Sequence, residues 1–431
     1  MVGNLPEMIR RPLDLITECT ERYGDVTAMR AGRIPVCLIN HPDLVEEVLV
    51  TGSRNFKKSV LRRGTSVTFG QGLLTSDGEL WLRQRRLMQP AFHHARIAGY
   101  GAIITGFAEK RVAGWRDGDT LEVHTEMMEL ALDIISVALF GAELGENDRR
   151  EIRTVLELSL RRSAQAITIR RFTRNLLRPG DLPLRQALER LDTIVYRIIE
   201  QRRRDTAHHD DLLAMLLEAA GDGDGISDRQ IRDEVVTMML TGHETVATSL
   251  AWTWYLLSEH PEAERKLATE LKEVLGGRES AFADLPNLVY TGRIVKEAMR
   301  LYPPGWLVSR EAVVDCEIAG YHVAAGTQVA MSQWTIHRDA RWFPDPHAFD
   351  PDRWTAAFEK ELPKFAYFPF GGGARRCIGD MFAIMEANLI LATVAQRVRL
   401  SLVPGHPVEL LPQLTLRPRH GMRMRVESRE V

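Results

Sequence analysis

Apolar residues in this chain recur mostly at three- and four-residue spacing, the period of a helix face, and strict alternation is rare. The longest periodic segment opens at Ser227-Asp228-Arg229-Gln230. This is a capping box, in which the serine side chain accepts from the third helical amide and the glutamine reaches back. Apolar positions then run through Ile231, Val235, Met238 and Met239 to Leu257, until His260-Pro261 ends the pattern. About 30 residues at about 1.5 Å each predict a helix near 45 Å long, enough to cross a domain. Strand-like runs are few: 26–29, 35–39, the stretch 313–331 with a turn at Ala324-Ala325-Gly326, and the tail beyond Arg399. There is no internal repeat and no long linker. The pattern predicts one mainly α domain over residues 1–431 with small β-sheets. Its helix-rich core is expected at about 70–300 and 360–400, and its β-rich part at about 20–55, 310–332 and the C-terminal tail.

The centre of the long helix, MMLTGHETVATSL, breaks local rules. Gly242 costs about 1 kcal/mol against alanine in a helix interior. Glu244 places a charge among apolar neighbours. Such conflicts mark a candidate site.

Composition narrows the class. With 45% hydrophobic and 26% charged residues, the 431-residue chain is globular rather than disordered, collagen-like or coiled-coil. Basic and acidic residues number 56 and 58, a net charge of −2, so nucleic-acid binding is not expected. Cys19, Cys37, Cys316 and Cys377 lie far apart, which fits neither a CxxC zinc module nor a secreted disulfide scaffold. The uncharged stretch 245–258 is 14 residues, short of the roughly 20 a spanning helix needs. A cytoplasmic chain without a transmembrane anchor is therefore expected. Three motif fragments fail: Ala247 stands where a zinc protease needs its second histidine, Gly371-Gly372-Gly373 lacks the ending of a phosphate loop, and the acids of 221–225 have Asp233 where a calcium loop needs glutamate.

The strongest candidate chemistry lies near the C-terminus, in Phe370-Gly371-Gly372-Gly373-Ala374-Arg375-Arg376-Cys377-Ile378-Gly379. A glycine-rich bend lets backbone approach a flat partner and aims amides at the cysteine sulfur. A thiolate beside arginines, just before the helical run 381–398, has a lowered pKa and is a competent metal ligand.

Four motifs in order resemble the cytochrome P-450 family of haem-thiolate monooxygenases. FGGGARRCIG matches the FxxGxRxCxG signature, Glu297-Ala298-Met299-Arg300 the ExxR motif, and 349–354 (FDPDRW) the segment that supplies a second arginine, Arg353. Thr241-Gly242-His243-Glu244-Thr245 resembles (A/G)Gx(D/E)T, with threonine in place of the usual first small residue.

The resemblance implies the haem-thiolate fold, with the long helix over a haem b (iron protoporphyrin IX). Cys377 is then the iron ligand, and Phe370, Gly373 and Gly379 belong to its cofactor loop. Trp81 and Arg85, from WLRQR, join Arg310 and Arg375 in holding the propionates. Glu297, Arg300 and Arg353 form a buried ionic triad that braces the core. Gly242 should widen the long helix into a dioxygen groove, Thr245 supplies the hydroxyl used in dioxygen activation, and Glu244 is the acid of the proton relay. The pocket would draw on the loop 67–74, the region 160–182, Thr241, Gly242, Trp306, Leu307 and Val308. The stretch 161–180, which holds six arginines and no acid, reads as a solvated face.

The implied activity inserts one atom of dioxygen into a small apolar substrate by hydroxylation or epoxidation. The substrate class is a terpenoid, fatty acid or other natural product of secondary metabolism. Electrons would come from NAD(P)H through a ferredoxin reductase and ferredoxin, or a similar carrier, docking near Arg83, Arg86 and Arg376 on a monomer. A haem-thiolate peroxygenase or isomerase, and a non-catalytic haem sensor, stand as alternatives.

Overall fold

Helix and strand limits follow local start and stop signals in the computed structural model, which describes residues 3–59, 65–169, 182–221 and 225–429. The first long helix, α1 (Pro12–Tyr23), begins on proline and ends at Gly24, whose φ of 77° suits a residue without a Cβ. β1 (Val26–Ala31) and β2 (Ile34–Ile39) pair antiparallel, Val26 opposite Ile39, and the short strand β3 (Phe56–Lys58) follows. The helical body consists of α2 (Gly78–Met88), α3 (His94–Val112), then β4 (Thr120–Glu122), α4 (Val123–Phe140), α5 (Glu146–Ile169), α6 (Leu182–Arg204), α7 (Leu212–Gly221), α8 (Asp228–Glu259), α9 (Pro261–Leu275) and α10 (Val289–Leu301). Four strands come next: β5 (Val308–Ala312), β6 (Cys316–Ile318), β7 (Tyr321–Val323) and β8 (Gln328–Met331). α11 (Asp380–Arg397) leads into β9 (Val398–Leu402), β10 (Leu410–Pro412), β11 (Leu416–Pro418) and β12 (Arg423–Ser428).

The main sheet has the order β1-β2-β8-β5-β3, with β2 and β8 parallel and the other neighbours antiparallel. A smaller sheet has the order β4-β12-β9, and β6-β7 and β10-β11 are hairpins. β3, β4 and β5 carry no strand-like alternation in sequence; they are short and rich in charge (Lys57, Lys58, Arg310, Glu311), so only their partners make them strands. Conversely, residues 42–51, inside the expected β-rich part, wind into helix after Pro42.

α8 forms as its cap predicts. Ser227 Oγ accepts from Gln230 N and Gln230 Oε1 accepts from Ser227 N, both at 3.3 Å. It packs along α4, and with α3 and α11 these helices form the largest core cluster. One expectation fails here. The helix is not opened at Gly242 but runs as unbroken α-helix through it. The glycine serves a close crossing instead: a Cβ there would lie 1.9 Å from Ile135 Cδ1 of α4. Three threonines one turn apart, Thr237, Thr241 and Thr245, donate to the carbonyls of Asp233, Thr237 and Thr241 at 2.7, 2.6 and 3.0 Å. Such back-bonding bends a helix slightly without breaking it.

Candidate active site

The glycine-rich loop is packed as tightly as its composition suggests. Gly371 and Gly373 have φ of 69° and 65°. A Cβ on Gly373 would lie 1.9 Å from the Leu49 carbonyl oxygen, and one on Gly372 would lie 2.3 Å from the Phe365 ring. Cys377 N donates to the Phe370 carbonyl at 3.0 Å, closing the loop, and the Gly379 amide points at the Cys377 sulfur.

Cys377 presents accessible surface, yet burial pushes its thiol above the ordinary range. The Gly379 amide, Arg85 and Arg376 pull the other way, toward the thiolate. α8 runs through the main core cluster. Its middle is buried, but Thr241, Gly242 and Thr245 keep partial exposure. Phe370 and Ile378 of the loop pack on the core cluster that contains Met238, Met239, Leu240 and Val246 of α8. A soft sulfur donor whose thiolate form is favoured by an amide and two arginines fits a thiolate-bound haem.

Cationic and hydrogen-bonding groups gather around this loop. The Arg375 guanidinium stands 4.3 Å from the centre of the Trp81 ring and pairs with Asp77. Arg85 Nη1 donates to the Arg376 carbonyl at 2.9 Å. Arg310 lies on β5, opposite Lys58 of β3, and Lys58 N reaches Asp77 Oδ1 at 3.5 Å. Asp77 is a participant that sequence reading missed. It occupies the N-cap position of α2, where a carboxylate ordinarily caps the helix, but makes no cap and turns to Arg375 instead.

The triad residues meet. Glu297 accepts from Arg300 Nη2 at 2.7 Å and Nε at 2.8 Å, and from Arg353 Nε at 3.0 Å. Trp354 Nε1 (2.9 Å) and the Asp350 amide (3.0 Å) complete its shell. Those last two partners gave no signal in the sequence beyond their place in the FDPDRW segment.

Other expected site residues are turned elsewhere. Glu244 is buried and accepts from Thr415 Oγ1, with Arg417 Nε at 3.8 Å, so it faces the β10-β11 hairpin. Successive helical side chains diverge by about 100°, so neighbours on α8 seldom share one wall. Burial raises the Glu244 pKa, opposed by Arg417 and Thr415. Trp306 is buried with its indole donating to the Gln413 carbonyl at 2.9 Å, and Leu307 packs with it in the cluster under α1. Of the expected segment 306–308, Val308 approaches the glycine-rich loop, with Cγ2 4.0 Å from where a Gly371 Cβ would stand. Arg83 approaches Gln230 at 3.5 Å and Arg376 pairs with Asp380. Most of the region 160–182, namely 170–181, lies outside the described residues. Among the described residues no helix is long and apolar enough to cross a membrane.

Comparison with known proteins agrees with this geometry. The cytochrome P450 family model matches residues 1–423. Cyclooctatin synthase of Streptomyces melanosporofaciens is 37% identical over 420 residues, covering 96% of this chain and 91% of that protein. Cyclooctat-9-en-7-ol 5-monooxygenase of the same organism is 36% identical over 411 residues, covering 94% and 88%. Pentalenene oxygenase of Streptomyces avermitilis is 33% identical over 431 residues, covering 100% and 96%. With the cysteine loop, the triad and the family match all in hand, this chain belongs to the cytochrome P450 family of haem-thiolate monooxygenases.

Proposed function

We propose that this enzyme oxygenates a cyclic terpenoid hydrocarbon or alcohol, working as one catalytic domain. The observation that carries the reading is the glycine-rich Cys377 loop, packed through Phe370 and Ile378 on the apolar core, together with relatives named cyclooctat-9-en-7-ol 5-monooxygenase and pentalenene oxygenase. Haem b, held through Cys377, would supply dioxygen activation and oxygen transfer. Trp81, Arg85, Arg310 and Arg375 are the residues we assign to its carboxylates, where a planar guanidinium can bind in a fork. Thr245 holds a proton at Oγ1, while Glu244, bound to Thr415 beside Arg417, faces the hairpin and is left out of that step. The apolar walls orient the guest and exclude water. Glu297, Arg300 and Arg353 brace the haem-binding core. Electrons reach the enzyme from NAD(P)H through a cytoplasmic ferredoxin system, with the enzyme acting as a monomer.

The test is reconstitution with ferredoxin, its reductase and NADPH on a panel of cyclic sesquiterpenes and diterpenes under 18O2. The expected result is a product carrying one 18O atom. Haem-loaded enzyme that gives no labelled product from any member of the panel would overturn the substrate class. Product formed with hydrogen peroxide alone, and none with NADPH and the carrier, would make it a peroxygenase.

A further inference from the structure

Three consecutive residues of α8, Arg232, Asp233 and Glu234, are buried although charged. Each holds the same segment of chain. Arg232 Nη1 donates to the Thr68 carbonyl at 3.2 Å, Asp233 Oδ2 accepts from Gln71 N at 2.8 Å, and Glu234 Oε2 accepts from Leu73 N at 2.9 Å. Two glycines permit this approach. A Cβ on Gly70 would lie 2.0 Å from the Asp233 carboxylate, and one on Gly72 would lie 2.1 Å from Thr237 Oγ1. Burying a carboxylate is costly unless hydrogen bonds compensate it. Glu234 Oε1 has no partner among the described residues, so the contact with Leu73 is a main source of that compensation.

The segment is anchored at its far end too. Lys58 Nζ donates to the Leu73 carbonyl at 2.6 Å, and Asp77 pairs with Arg375, two residues before Cys377. The strap therefore runs from the start of α8 to the cysteine loop. Its last residue, Leu74, is half-buried on the main core cluster. Asp233 and Glu234 lie about two turns, roughly 11 Å, before Thr241 along α8.

We infer that Asp233 and Glu234 are positioning residues that fix the strap 70–74 between α8 and the cysteine loop and so decide which apolar guests fit there. This rests on the reading of that region as the haem and substrate site. Neither carboxylate touches the reacting atoms; each acts through backbone amides, so the strap's side chains are held at a set depth. The adjoining Arg232 extends the same network to Asp192 of α6, whose oxygen accepts from Arg232 Nε at 2.7 Å.

The test uses haem-loaded enzyme, with imidazole and 4-phenylimidazole as probes. Imidazole reports the metal site alone, whereas the phenyl group must also fit beside it. Glu234→Ala and Asp233→Asn should change the affinity ratio of the two probes about tenfold, the scale of one lost hydrogen bond to a charged group. Their carbon monoxide spectra should stay those of wild type. Amide exchange at Gln71 and Leu73 should quicken. Glu234→Gln retains an acceptor and should restore both readouts. Should Glu234→Ala fail to fold, Gly72→Ala displaces the strap from the other side and should shift the ratio likewise. A probe ratio unchanged in all folded variants overturns the inference. Wild-type enzyme that binds neither probe would instead overturn the reading of the site.

Discussion

Glu297→Gln isolates the charge at the centre of the triad with almost no change of volume. In the folded chain Glu297 and Arg300 have no exposed side-chain surface, and Arg353 has 6%. The remaining partners of Arg300 are neutral carbonyls: His337 at 2.9 Å, Pro346 at 2.6 Å and Ala348 at 2.8 Å. Without the carboxylate, a fully desolvated guanidinium keeps only dipoles to offset its charge. Breaking such a buried pair costs about 3–5 kcal/mol. Unfolding entropy of about 2.1 cal/mol/K per residue, taken over the chain, gives roughly 0.9 kcal/mol per degree, so the melting midpoint should fall by about 3–6 °C. Glu297→Ala adds a cavity and should fall further. Differential scanning calorimetry of haem-loaded protein measures this, with the fraction of haem retained as a second readout. A double-mutant cycle closes the argument: Arg353→Met should cost less in the Glu297→Gln background than in wild type, because its counter-charge is already gone. If both Glu297 variants melt within about 1 °C of wild type with full haem content, the triad does not brace this core.

Three further outcomes are expected. Cys377→Ala should abolish the red-shifted Soret band of the reduced, carbon monoxide-treated protein; a variant that keeps it places the ligand elsewhere. Thr245→Ala should leave folding and haem content intact while product per NADPH falls about tenfold, roughly 1.4 kcal/mol of lost discrimination, and hydrogen peroxide rises; full coupling in this variant would remove Thr245 from proton handling. Burial and nearby arginine charge lower His124 to about 3 and His243 to about 4. Both are neutral when folded and titrate near 6.5 when unfolded, so their contribution is intact above about pH 6.5 and is lost as pH falls toward 4. Each should add a slope of about 1.4 kcal/mol per pH unit in that window, and urea midpoints of His243→Asn and His124→Gln should fall less steeply on acidification than wild type.

What the sequence determined by itself is the set of features whose partners are near in the chain. The Ser227–Gln230 cap, the stop at His260-Pro261 and the Glu297–Arg300 pair each lie within one helical turn, where backbone geometry alone brings the groups together. The cysteine loop is likewise legible, because its glycines and Cys377 are contiguous. Tertiary structure decided everything that depends on a distant neighbour. Gly242 reads as a helix opening until Ile135 of α4 arrives against it. Glu244 reads as Thr245's companion until Thr415 and Arg417 draw it to the hairpin. Trp306 reads as a pocket wall until Gln413 accepts its indole hydrogen. A side chain's residue type limits which partners it can satisfy, but which one it meets is set by helix crossings and loop paths fixed by burial of the whole core.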